Sequence, residues 1–159
     1  MGQFYGSLSE VAGGQPGDLT RSENAVIIPA QFASETQVTP GSGVTFDTTG
    51  KLKYMSAAAD VFAGVAVREY PSLSGYPESI NYEKGQLIGV MKKGNCLVKC
   101  QNGTPVQGGK VYVYYAATGV NKPGDFSATL VSSYTIEVPN AFWGSSGVDV
   151  NNLAEISLI

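Results

Sequence analysis

Residues 86–100 read QLIGVMKKGNCLVKC, and the conformation of this stretch decides what kind of protein the chain can be. Two apolar runs, QLIGVMK (86–92) and NCLVK (95–99), flank Lys-Lys-Gly-Asn. Glycine and asparagine tolerate positive φ, so the tetrapeptide reads as a hairpin turn with Gly94 or Asn95 at its bend. Lys92 and Lys93 then stand in water at the tip. The two cysteines test the strand reading. Alternate residues of a strand share a face, so Cys96, Val98 and Cys100 form one row. At a rise of ~3.3 Å per residue the two cysteine Cα atoms lie ~13 Å apart, whereas a disulfide needs less than ~7 Å. The chain has no histidine, and two thiols at this spacing make no zinc motif. Cys96 and Cys100 therefore read as small core hydrophobes in a reducing compartment. The stretch is sheet.

The same pattern extends in both directions. Short alternating runs rich in Val, Ile, Tyr and Thr predict strands at 25–32, 42–47, 51–55, 61–70, 110–116, 127–132, 135–139 and 154–159. Gly, Asn, Asp and Pro clusters at 48–50, 101–109, 121–125 and 144–147 separate them. Only MSAAAD (55–60) tolerates a helix, and it is too short to nucleate one. The reading is an all-β protein, with a single compact β-barrel-like or β-sandwich domain over 25–159 and an extended N-terminal arm over 1–24.

Composition narrows the function. At 159 residues and 43% hydrophobic the chain can build one sizeable core. Charged residues are only 14%, against ~25% in ordinary soluble domains. A surface made of Ser, Thr, Asn, Gln and Gly suits a protein packed against others. The net charge is −3 and the ten basic residues are scattered, which argues against nucleic acid as a partner. No apolar run approaches the ~18 residues of a membrane span, and the N-terminus has no signal-peptide pattern.

Catalysis finds little to work with. Without histidine the commonest general base is gone. The carboxylates lie mostly in turns, and GGQPGD and QNGTPVQGGK lack the context of a phosphate loop. No catalytic site, metal or cofactor is expected, and the protein is not read as an enzyme. Trp143, the only tryptophan, precedes a Gly-Ser-Ser-Gly turn. Closing the core is its commoner role; stacking on a sugar is the alternative, which would make the chain a carbohydrate-binding β-sandwich, an adhesin or tail-associated module. A fibre or shell subunit built by strand exchange is a third reading.

Partner binding is expected first at the N-terminus. Phe4, Tyr5, Leu8, Val11 and Leu19 are apolar residues at irregular spacing in a segment otherwise rich in glycine. An arm that orders on a partner would use them as anchors. Val26 and Ile28 lie on a strand whose edge is available for pairing. In KVYVYYA (110–116), Tyr112 and Tyr114 share one face, so that strand is either covered on both sides or meets another subunit.

The order of motifs from residue 25 onward resembles the structural cement, or head decoration, proteins of tailed bacteriophages. The shared features are TPGSGVTFDTTGKLKYM; FAGVAVREY at 62–70; YEKGQ at 82–86; IGVMKKGNCLV; GGKVYVYY; and a closing GVDVNNLAEISLI. KPGDFSATLVSSYTIEVPNAFWG and the first 24 residues match no such pattern. The resemblance implies a virion protein, made in the host cytoplasm, that sits on the outer surface of the expanded capsid. It would bridge and stabilise neighbouring major capsid proteins against internal DNA pressure. Its partners would be the major capsid protein and copies of itself, as a trimer in preference to a dimer, with no nucleic acid and no membrane. Deleting residues 1–20 is then expected to leave a folded domain that no longer binds shells.

Overall fold

Strand β5 (Leu87–Lys99) organises the molecule. The computed structural model describes residues 14–33, 38–68 and 84–159. Among them are eight further strands: β1 (Leu19–Gln31), β2 (Gly43–Phe46), β3 (Leu52–Tyr54), β4 (Gly64–Ala66), β6 (Lys110–Tyr114), β7 (Phe126–Ser127), β8 (Thr135–Trp143) and β9 (Leu153–Leu158). They pair antiparallel into one sheet in the order β3-β2-β4-β5-β9-β8-β6-β7, and β1 pairs with β5. No described residue is helical. The all-β expectation holds, and the sheet curls into a half-barrel.

The hairpin expected at residues 92–95 does not form. The two runs never pair with each other. One edge of β5 pairs with β1 along both halves, from Leu19↔Cys96 to Gln31↔Leu87, while the other edge meets β4 in the first half (Val65↔Met91) and β9 in the second, from Gly94↔Leu158 to Lys99↔Leu153. A continuous strand with β1 along one edge and β4 then β9 along the other outcompetes a local turn signal. Gly94 does adopt positive φ, at 129°, but as the bend where β5 changes partners. Beside it β1 bulges: five residue steps from Arg21 to Val26 oppose two from Asn95 to Lys93. Asn24, at φ 62°, takes up part of the excess. An added Cβ on Gly94 would stand 3.1 Å from the Ala25 Cβ, so the bulge packs closely onto the bend. Lys92 and Lys93 are exposed in mid-strand, and the Lys92 ammonium lies 5.8 Å from the Phe46 ring centre.

β4 and the first half of β5 form a wall between two cores. On one side Ala66, Ile88 and Val90 pack with Ala30, Phe32, Val44 and Leu52. On the other, Val65, Val67 and Met91 join Cys96, Val98, Cys100, Val111, Val113, Phe126, Trp143 and Ile156. With both faces covered, these strands read as unbroken apolar runs (GVAV, LIGVM) instead of alternating ones. The sheet folds back on itself at both ends. Cys100 bridges Phe126 beside β7, and Phe32 at the end of β1 bridges Leu52 of β3. Gly64 sits inside the wall because an added Cβ would fall on the Met91 carbonyl oxygen.

Other expectations shift for local reasons. The strand expected at 61–70 is ordered as sheet only over Gly64–Ala66, and residues 69 and 70 lie outside the described residues. The strand expected at 127–132 stops at Ser127. Its hydroxyl donates to the Thr129 carbonyl (2.6 Å) and accepts from the Thr129 N–H (3.1 Å), turning the chain away. The strand expected at 135–139 runs on to Trp143 through a bulge, where Pro139 has no ladder bond to break. MSAAAD is a turn held by Asp60, which accepts the Ser56 and Ala57 N–H groups at 2.7 and 2.9 Å. These bonds, with the Lys53 ammonium at 3.2 Å, outweigh desolvation and hold its carboxyl below the ordinary range.

Candidate partner-binding surfaces

Two surfaces stand out, and both involve β1. One edge of β1 pairs with β5; among the described residues its other edge meets a strand only at the Phe32–Leu52 bridge. A 13-residue strand whose second edge is open among the described residues offers backbone donors and acceptors to a further strand. Val26 and Ile27 are 47% and 40% exposed on it, and the exposed Leu87 lies opposite Gln31. Ile28, also expected at this surface, is partly buried against the smaller core.

The remaining residues expected at an interface are scattered. Phe4, Tyr5, Leu8 and Val11 lie outside the described residues. Leu19 belongs to β1, pairs with Cys96 and is partly buried against the larger core. Tyr112 is half-buried. Tyr114 is 1% exposed, so its contacts are with its own domain and it has no face to offer a partner. The β6 strand is of the kind covered on both sides.

The second surface is an open cleft of about 490 Å³ at the root of β1. Gly14, Gln15 and Pro16 form one wall, Pro40 and Gly41 lie at its base, and Lys99, Lys122, Asp125 and Asn151 contribute from elsewhere. The domain holds this wall firmly. The Gly17 N–H donates to the Leu97 carbonyl, the Leu97 N–H to Asp18 and the Arg68 N–H to Gly17, at 2.8 to 2.9 Å. The Arg68 guanidinium donates to the Pro16 carbonyl at 3.0 Å. Gly17 and Gly41 pack backbone to backbone: a Cβ on either would lie 2.8 Å from the other's nitrogen. Residues 14–24 are thus tied into the sheet, and β1 runs across the arm–domain boundary expected at residue 24.

Glu155 is the residue that sequence reasoning missed. Strand alternation sends it outward between Ala154 and Ile156, yet it is fully buried. Its Oε1 accepts from Arg21 of β1 at 3.4 Å and from Asn95 at 3.3 Å, while Oε2 has no partner. Gly144 is required beside it, because a Cβ there would overlap the carboxylate. The pair fastens β1 to β9. The only hint in the sequence is a lone acid between core residues in the last strand.

Trp143 is 1% exposed in the larger core. It has no free ring face for a sugar, so the carbohydrate alternative loses the residue it rested on. Cys96 and Cys100 are buried and unpaired. Burial pushes both thiols up, and the charge of Glu155 adds to the effect at Cys96. Among the described residues no three Cys, Asp or Glu side chains gather as a metal site.

Comparison with known proteins agrees with this architecture. The profile of the structural cement proteins, described by E217 gp24 and Pam3 gp6, matches residues 7–159. A chain from the capsid of Myoviridae Phage XM1 shares the fold at a TM-score of 0.76. That likeness covers 99% of this chain and 98% of that one at 17% identity. No curated protein matches.

Proposed function

We propose, because the chain belongs to the structural cement protein family, that it binds the outer surface of the expanded phage capsid and bridges neighbouring major capsid proteins. The family match over residues 7–159 carries this reading. The open edge of β1, with Val26 and Ile27 exposed along it, supports it with a surface suited to strand addition. Phe4, Tyr5, Leu8 and Val11 are the proposed anchors of the arm. Leu19, packed on the larger core, belongs to the domain.

The mechanism is mass action. A protein that binds the expanded shell and not its precursor stabilises the expanded form by RT ln(1 + [L]/Kd) at every site. Copies associated around a local symmetry axis add avidity without strong individual contacts. Neither step needs catalysis.

The test is co-sedimentation with shells stripped of the protein, expanded and unexpanded. The full chain should bind expanded shells saturably and leave unexpanded shells bare. A chain starting at residue 14 keeps the wall that Gly17 and Arg68 hold together, so it should fold and fail to bind. That cut is preferable to one at residue 20, which would remove Leu19 from its pairing with Cys96. Full binding by the shortened chain would sink the arm proposal, and no binding by the full chain would sink the function.

A further inference from the structure

The cleft at the root of β1 carries three of the ten basic residues of a chain whose net charge is −3. Arg68 is engaged within the fold: its side chain is 6% exposed, with Asp18 at 3.9 Å and the Pro16 carbonyl at 3.0 Å. Lys99 and Lys122 differ. Both are exposed on the cleft, and among the described residues neither ammonium forms an ion pair. The one lining carboxylate, Asp125, attracts both ammonium groups across the cleft but forms an ion pair with neither. Asp125 is turned to its own loop, where its Oδ2 accepts the Lys122 backbone N–H at 2.8 Å.

Exposed valines lie on and next to the cleft lining. Val120 is 70% exposed on its lining, and Val150 is 96% exposed next to the lining residue Asn151. The Val150 turn is rigid, since the Asp149 carboxylate accepts the Asn151 and Leu153 N–H groups at 2.7 and 2.9 Å. A single exposed valine means little. Val120 on the lining, with Val150 beside the lining residue Asn151 and two cations that form no ion pair, marks a place where a partner can remove water.

We infer that this cleft receives an acidic, protruding segment of the shell protein, its carboxylates meeting Lys99 and Lys122 and its apolar side chains covering Val120 and Val150. The inference rests on the shell-binding reading and names the chemistry of one contact within it. A nucleic acid fits poorly, since two free cations in an acidic chain release few counterions. A second copy also fits poorly, because the described carboxylates outside the cleft are already engaged in their own chain. Asp47, Asp60 and Asp149 hold turns; Asp18, Glu137 and Glu155 sit in ion pairs. The described acids of this chain are thus spoken for, and the occupant inferred is the shell protein, with a second copy as an outcome of the test. Concavity favours a protruding segment over a flat face. Exposed complementary charges act mainly on selectivity and association rate, which suits a protein that must find one form of shell.

The experiment compares the full chain with Lys99→Glu/Lys122→Glu in co-sedimentation with stripped, expanded shells. A control, Lys51→Glu/Lys110→Glu, makes the same change of charge away from the cleft. The cleft variant should lose about ten-fold or more in apparent affinity, as like charges face each other, and the control should lose less than about three-fold. Wild-type binding should weaken between about 50 and 500 mM salt, as screening of exposed pairs requires. Equal binding by the cleft variant and wild type, or equal loss in the control, overturns the inference while leaving shell binding intact. A change in self-association without a change in shell binding also overturns it, by making the occupant a second copy. Failure of the wild type to bind shells refutes the function instead. If the reversal unfolds the chain, Lys99→Gln/Lys122→Gln should show the same ordering with a smaller loss.

Discussion

Replacing Arg21 with alanine should cost far more than a surface ion pair is worth, and removing the charge on Glu155 should recover most of the loss. Glu155 is fully buried, whereas the Arg21 side chain is 50% exposed, at 3.4 Å. An exposed pair contributes about 0–1 kcal/mol; stripping the partner from a fully buried charge costs about 3–5 kcal/mol. Arg21→Ala lies between these limits. The carboxylate keeps its bond from Asn95 at 3.3 Å, but water cannot easily reach Oε2, which has no partner of its own. A loss of about 2 kcal/mol follows from that intermediate position. In a domain of this size it would lower the melting temperature by roughly 4–8 °C. Glu155→Gln keeps the shape and removes the charge, so the double variant should regain at least half of the loss. Urea unfolding at neutral pH of wild type, both single variants and the double variant measures this directly. An Arg21→Ala cost below about 0.5 kcal/mol, or a double variant no more stable than Arg21→Ala, would refute the reasoning.

Other expectations follow from the same packing. Trp143→Ala empties the centre of the larger core and should destabilise by about 3–5 kcal/mol in denaturant titration. Gly64→Ala drives a methyl into the Met91 carbonyl and should yield little soluble protein, or one losing more than about 2 kcal/mol. Cys96 and Cys100 should resist a thiol reagent in the native protein and react at once in denaturant, because burial disfavours both thiolates. Asp60 ionises more readily in the folded chain than its ordinary value of 3.8. Its contribution is therefore present above that value and is lost as pH falls through the lower folded one. Asp60→Asn should flatten the acid limb of a stability–pH curve below about pH 5, and an unchanged limb would count against the Ser56–Asp60 turn.

Much of this molecule is legible in its sequence. Alternating Val, Ile and Tyr runs between Gly, Asn and Asp clusters specify strands, because side-chain period and turn chemistry act within a few residues. The placement of Cys96, Val98 and Cys100 in one buried row follows from strand periodicity alone. The order of motifs likewise carries the family. Pairing across long separations was decided elsewhere. Lys-Lys-Gly-Asn at 92–95 has turn chemistry, yet Leu97 pairs with Glu155 and Met91 with both Ile27 and Val65, and these partners pull residues 87–99 into one strand. Glu155 reads as an outward residue and is buried because Arg21 and Asn95 close over it. The cleft gathers Gly14, Arg68, Lys99 and Lys122 from distant parts of the chain. The sequence by itself determined the class of structure and the family, since both are written in local pattern and motif order. Only the tertiary structure decided which strand edge is open among the described residues, which acid is buried and where Lys99 and Lys122 meet, because those depend on neighbours brought together by the curl of the sheet.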